Sequence, residues 1–192
     1  MSLFMQRGVT LPVTFLLLLA ALTLGASAAH TAMLGEKAAR AERERLIAFQ
    51  AAEDAMMDAE RDINASLGVP LEVQPPTSGG EPAPTPAWQA VDLAGGGGTE
   101  YGALTGAAMA VGEGPLPFRR PRYLVERITY TPPGEPPAHY YRVTVVGFGS
   151  RPGAESVLQA SYTPPLPVRR YGWREIMDWQ ALHDAVGGPE EQ

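Results

Sequence analysis

The chain contains no cysteine. That absence excludes a disulfide framework and a thiolate zinc site, so packing and hydrogen bonds must hold the fold. Positive charge is also short, with 15 Lys and Arg against 21 Asp and Glu and a formal net charge of −6. A surface that binds nucleic acid by releasing counterions needs Lys and Arg in local excess. Nucleic acid is therefore not an expected partner, and DNA would have to be held by a local patch, not by a whole face. Histidine is scarce. His30, His139 and His183 are scattered, with none at the i, i+4 spacing of a helical metal site. A Gly-x-Ser-x-Gly elbow is absent too, and Gly147-Phe148-Gly149-Ser150 reads as a turn between two strand-like runs. Without a catalytic constellation, the expectation is a protein with no enzymatic activity and no cofactor.

What the sequence does have is one long apolar-to-amphipathic stretch. Gln6-Arg7-Gly8 leads into an uncharged run from Val9 to Ala29, 21 residues. At ~1.5 Å per residue that run is about 31 Å long as a helix, enough to cross a hydrocarbon core of ~30 Å. Arg7 before it predicts that this end stays cytoplasmic and that the rest crosses. Ala26-Ser27-Ala28 also has the look of an ordinary signal peptidase site. The apolar run is longer than such signals carry, and helical patterning continues through the would-be cut.

Beyond Ala29 the charges alternate, with Glu36 and Arg40, then Arg40 and Glu44, four apart on one helix face. An apolar stripe follows at steps of three or four: Leu46, Phe49, Ala52, Met56, Ala59, Ile63 and Leu67. Gly68 and Pro70 are expected to end the helix. The carboxylates Glu53, Asp54, Asp58 and Glu60 cluster along this segment, and Glu53, close to the stripe, reads as a structural, partly buried acid.

Residues 68–122 are rich in Pro and Gly, including Gly95-Gly96-Gly97-Gly98, and read as an irregular loop region with a short element around Trp88 to Leu93. The glycine run lacks the strand-to-helix flanks of a phosphate cradle. Three strand-like runs come next, Tyr123 to Tyr130, Tyr140 to Gly147 and Ser156 to Tyr162, joined by connections too short for helical crossovers. They predict an antiparallel meander. The segment from Tyr171 to Leu182 reads as a short helix closed by Gly187 and Gly188. The expected class is α+β: a long N-terminal helix, residues 9–29 in a membrane and 30–67 on a small antiparallel sheet, with sheet and short helix filling 123–192.

Gln6-Arg7-Gly8-Val9-Thr10-Leu11, the leucine-rich run, and above all the block from Ala48 to Glu60 resemble the PilX family of type IV pilus minor pilins. The resemblance is close over residues 6–63 and extends to the Tyr141 to Val145 and Val157 to Tyr162 strands. It implies a pilin-like fold in which residues 1–8 are a leader, cut between Gly8 and Val9 by prepilin peptidase, with methylation of the new amine on Val9. The implied partners are membrane lipid before assembly, an inner-membrane assembly platform, other minor pilins and the major pilin. The implied location is the inner membrane with a periplasmic head, then the pilus. Two departures stand out. Most pilins begin the mature chain with Phe or Met where this one has Val9, and most carry Glu at the fifth mature position where this one has Val13, an absence shared by many PilX proteins and their type II secretion relatives.

Three other readings come from different classes: a type II secretion pseudopilin, an adhesin-like binding module using residues 69–122, and an exported enzyme after ordinary signal cleavage. Mass spectrometry of the mature protein separates the last from the rest. The expected amino terminus is a methylated Val9, and a terminus at Ala29 would remove the pilin reading.

Overall fold

From Thr10 to Ala65 the chain forms one helix, α1. The only proline in it is Pro12, in the first turn, where a missing N–H costs least. The computed structural model describes residues 10–73 and 86–187. The chain divides into two units, Met1–Arg43 and Glu44–Gln192, and α1 supplies the described part of the first and the opening element of the second, the head.

Ser66, not Gly68, stops α1. It adopts the left-handed conformation at φ 52°, its N–H donates to Ile63 O at 3.2 Å, and the Leu67 N–H donates to Asp62 O at 3.2 Å. These are the two bonds of a Schellman cap, with serine in the place glycine usually takes. Gly68 instead sits in a close contact, where a Cβ would stand 2.8 Å from the Leu104 side chain and 3.1 Å from the Asp62 carboxylate.

The head sheet has six strands: β1 (Leu71–Val73), β2 (Thr99–Glu100), β3 (Arg122–Tyr130), β4 (Ala138–Phe148), β5 (Glu155–Thr163) and β6 (Arg169–Ile176). Their order is β1-β3-β4-β5-β6, with β2 also on β3. The runs expected as strands are β3, β4 and β5, and with β6 they form an antiparallel meander. The sheet as a whole is mixed, which corrects the antiparallel expectation. β1 lies parallel to β3, from Leu71 opposite Glu126 to Val73 opposite Ile128. Parallel pairing needs a long return path, and the many residues between Val73 and Arg122 allow one.

The second correction concerns Tyr171 to Leu182, where a helix was expected. The structure places β6 over Arg169–Ile176 and a helix, α3, only over Trp179–Gly187. Gly172 would weaken a helix interior by about 1 kcal/mol, whereas β5 offers this segment a free edge to pair with. Within the loop region the structure adds one short helix, α2 (Ala87–Ala90), carrying the buried Trp88, while residues 74–85 lie outside the described part.

Strand alternation gives the sheet two apolar faces. On one, Tyr123, Val125, Val143, Val145, Leu158, Ala160 and Tyr162 pack against Ala52, Ala55, Met56, Ala59 and Ile63 of α1. On the other, Val146, Phe148, Val157 and Ile176 pack with Trp88, Leu93 and Trp179, so α2 and α3 belong to the opposite layer.

The helix face that packs is smaller and turned from the expected stripe. Ala48, Ala51, Ala52, Ala55, Met56, Ala59 and Ile63 are buried, Phe49 is half-buried, and Leu46 and Leu67 are 55% and 47% exposed. Leu46 and Leu67 are therefore not packing residues. The first lies off the Ala48, Ala52 and Ala55 face, although Glu44 and Arg45 just before it already bond the head, and the second lies past the cap.

Small residues are demanded there by the closeness of the approach. A Cβ built on Gly147 of β4 would lie 2.1 Å from Ala48 O and 2.4 Å from Ala52 N, atoms of the helix backbone itself. Neither backbone can yield as a flexible side chain would. Gly147→Ala is expected to destabilise the head by at least the ~1–3 kcal/mol typical of overpacking, read as a lower denaturant midpoint with unchanged slope. A midpoint equal to that of the natural protein would mean that helix and sheet are not in direct backbone contact.

Candidate functional site

From Leu11 to Ala29 the helix of the first unit presents an uncharged apolar surface. Phe15, Leu16, Leu17, Leu18 and Leu19 are each at least half exposed, and Leu22 and Leu24 more so. Among the described residues, α1 is the one helix long and apolar enough to cross a membrane. Three of its hydroxyls do not spoil that surface. Thr14, Thr23 and Thr31 each donate to a carbonyl three or four residues earlier, at 2.9, 2.9 and 3.0 Å, so none needs water. Val13 lies on this surface, 47% exposed. Gly8 and Val9, the expected cleavage and methylation positions, lie outside the described residues. Glu36 and Arg40 form the expected i, i+4 ion pair, exposed on both sides and worth little.

In the head, polar side chains of α1 hold the connections between strands. The Glu44 carboxylate accepts from Ser150 N at 2.7 Å and Ser150 Oγ at 2.6 Å, fixing the β4–β5 turn. Asn64 Oδ1 accepts from Val168 N at 2.7 Å, fixing the β5–β6 connection. Between them, one turn apart, are two buried acids. Asp58, fully buried, accepts from Gly102 N at 2.8 Å and from the Thr105 hydroxyl. Asp62, 5% exposed, accepts from Gly68 N at 2.7 Å and from the Tyr123 hydroxyl at 3.1 Å.

Glu53, expected to be the structural acid, is exposed, and Asp58 and Asp62 have that role instead. An acid at 53 and one at 58 differ by 5 residues, which on a helix places them on different faces.

Burial, reinforced by the negative charges of Asp62 and Asp58, holds the Tyr123 phenol well above the ordinary tyrosine range. Tyr162 is pushed up to about 12, first by burial and then by Glu60, with Arg170 opposing. The Tyr162 hydroxyl is buried without a hydrogen-bond partner. A cleft of about 470 Å³ opens beside Asp62, Gly68, Leu71, Thr99 and Leu104, but both Asp62 oxygens already accept hydrogen bonds.

The glycine run turns carbonyls toward cations, while its Gly95 and Gly97 amides are already taken by Asp92. Arg122 donates to Gly97 O at 2.7 Å and to Gly98 O at 2.9 Å, and Arg119 donates to Ala94 O while its guanidinium lies 3.8 Å over the Phe148 ring. Carbonyls turned toward cations are the reverse of a phosphate cradle. His183 stacks on Trp179 and has Nδ1 2.9 Å from Gln89 O, tying α3 to α2. Among the described residues no group of His, Cys, Asp and Glu is placed to hold a metal.

Reading the sequence missed two interactions. Glu126, fully buried, accepts two bonds from Arg142 at 2.7 and 2.8 Å from the directly opposite position on β4. Trp173, read as helical, instead meets the half-buried Phe49 edge-on at 6.2 Å from β6. Opposite charges in two adjacent strands were the available signal for the first.

This architecture is a helix with a lipid-like surface continuing into a small α+β head. The family model described as type IV pilus assembly protein PilX, C-terminal, matches residues 52–164, and the chain belongs to that family. No curated protein and no solved structure matches it.

The two tyrosines give opposite expectations. Each has a folded pKa above its ordinary value near 10, so its stabilisation is complete below about pH 10 and is lost as pH rises toward the folded value. Tyr162→Phe removes an unpartnered hydroxyl and is expected to leave stability at pH 7 unchanged or higher while flattening its fall between pH 10 and about 12. Tyr123→Phe takes a donor from a buried carboxylate and should cost about 1.5–3 kcal/mol at pH 7. Thermal melts of both variants from pH 7 to 12 test the pair.

Proposed function

We propose that this protein is a membrane-anchored minor pilin that primes or caps a type IV pilus, together with other minor pilins, and does not repeat along the shaft. Membership of the PilX family supports a pilus-assembly role, and the apolar half of α1 fits a membrane anchor. The observation that carries the finer reading is Val13 in the apolar surface of α1.

Cleavage after Gly8 by prepilin peptidase would make Val13 the fifth residue of the mature chain. In a filament core the amino-terminal amines gather in an apolar bundle, where an unpaired buried charge costs several kcal/mol. In ordinary pilins a glutamate at the fifth position neutralises the amine of the subunit assembled before it. Val13 cannot do so. A subunit at the tip has no predecessor and so loses nothing by the replacement. On this reading the chain sits first in the inner membrane with its head in the periplasm, is extracted by the assembly platform, and leads the major pilin outward. It performs no catalysis.

Val13→Glu is expected to let the protein enter the shaft more readily, while the natural chain appears in trace amounts at filament ends. Immunogold labelling of sheared pili reads the difference. Label spread evenly along pili bearing the natural protein would sink the tip assignment.

A further inference from the structure

β6 closes the sheet order, and among the described residues no strand lies on its outer side. Six of its eight residues are exposed, from Arg169 to Arg174. Tyr171 is 63% and Trp173 56% exposed, and they alternate with the guanidinium groups of Arg169, Arg170 and Arg174. In a chain of net charge −6, this strand is a local reversal of sign.

The positive charge is not cancelled in place. Among the described residues, none of the three arginines pairs with a carboxylate. Arg174 donates to the neutral Gln159 Oε1 at 2.9 and 3.2 Å, and Arg170 lies beside the Tyr162 phenol, on which Glu60 also acts. The strand's own acid, Glu175, is held by Arg45 at 2.8 Å and by the Ser156 hydroxyl at 3.2 Å.

Such an edge invites a further β-strand unless something prevents it, and here two things do. The ladder to β5 shifts so that Ser161 faces Gly172 and Tyr162 faces Arg170, leaving Tyr171 as the extra residue of a bulge. A bulge and a row of charges are the devices that protect edges from strand addition. A second copy would also bring arginines against arginines. The bulge turns Tyr171 out of the ladder beside Arg170, while Trp173, edge-on to Phe49 and 56% exposed, shares the α1 side of the strand with Arg170, and Arg169 and Arg174 take the other side.

Guanidinium groups for phosphates and exposed rings for unstacked bases are the two parts of a single-strand binding surface. Among the described residues this edge is a single strand, with no free helix or two-stranded ribbon of the kind that enters a duplex groove. We infer that the β6 edge, through Arg169, Arg170, Arg174, Tyr171 and Trp173, binds single-stranded nucleic acid.

The test uses the full chain in neutral detergent micelles and a fluorescein-labelled oligothymidylate of about 20 nucleotides, longer than the ~4–16 that a small domain covers. Fluorescence anisotropy is expected to show binding whose logarithm falls with log salt at a slope of about −2, as three phosphate contacts on a single strand require. The double variant Arg169→Ala, Arg170→Ala and the single variant Tyr171→Ala should each weaken binding about tenfold or more, with melting temperatures held. Polyglutamate should compete poorly. The inference is overturned by absence of binding at low salt or by undiminished binding of the arginine double variant. It is equally overturned if Tyr171→Ala binds normally while polyglutamate competes well, because the edge is then a bare polyanion or acidic-protein contact.

Discussion

The head is organised around the contact between the backbone of α1 and the backbone of β4 at Gly147. With Ala48 O and Ala52 N about where a Cβ would project, no side chain separates the two elements. That closeness requires alanine on the helix at 48, 51, 52, 55 and 59, and it leaves Met56 and Ile63 as the larger helix residues buried in that core. An alanine-lined helix buries little area per residue, so the contact gains less from hydrophobic transfer than a leucine-lined one would. The tyrosines make up the difference. Tyr123 and Tyr162, both fully buried on β3 and β5, flank the close contact and supply the volume that the alanines lack.

Burying tyrosines beside a helix brings polar groups inside, and these determine the rest of the arrangement. The Tyr123 hydroxyl reaches Asp62, which also takes the Gly68 amide, while Asp58 one turn earlier takes the Gly102 amide and the Thr105 hydroxyl. Glu44 and Asn64 do the same at the two ends of this helical segment, for the turns flanking β5. A turn tied to the helix by its amide cannot drift without exposing a buried carboxylate or losing its acceptor, either of which costs more than an ordinary hydrogen bond gains. The Pro- and Gly-rich connections thus become defined where they meet α1.

The sequence made the long helix, its apolar half and three central strands legible, because each has a period or a composition that needs no partner to be recognised. Three things escaped. The buried helix face was misjudged because the stripe through Leu46, Phe49 and Leu67 follows large apolar residues, whereas the real selection is for small ones. The parallel strand Leu71–Val73 is three residues long and has no periodicity of its own. In and just after β6, Trp173, Ile176 and Met177 fit helical spacing, and only the free edge of β5 makes Arg169–Ile176 a strand. At the level of sites, Asp58 was visible as one acid among four, but its burial depends on Thr105 and Gly102, more than forty residues away.

The two halves of α1 solve the same polar problem in opposite ways. In the apolar half each of three threonines bonds a carbonyl of its own helix, so this half needs no folded neighbour and is equally satisfied in lipid or in a bundle of like helices. In the head half Glu44, Asp58, Asp62 and Asn64 look outward for donors on other segments, so this half cannot be satisfied without the fold around it. A helix built this way can exchange one apolar surrounding for another at its first half without disturbing hydrogen bonds at its second. That property would serve the transfer from a membrane into a filament that the proposed function requires.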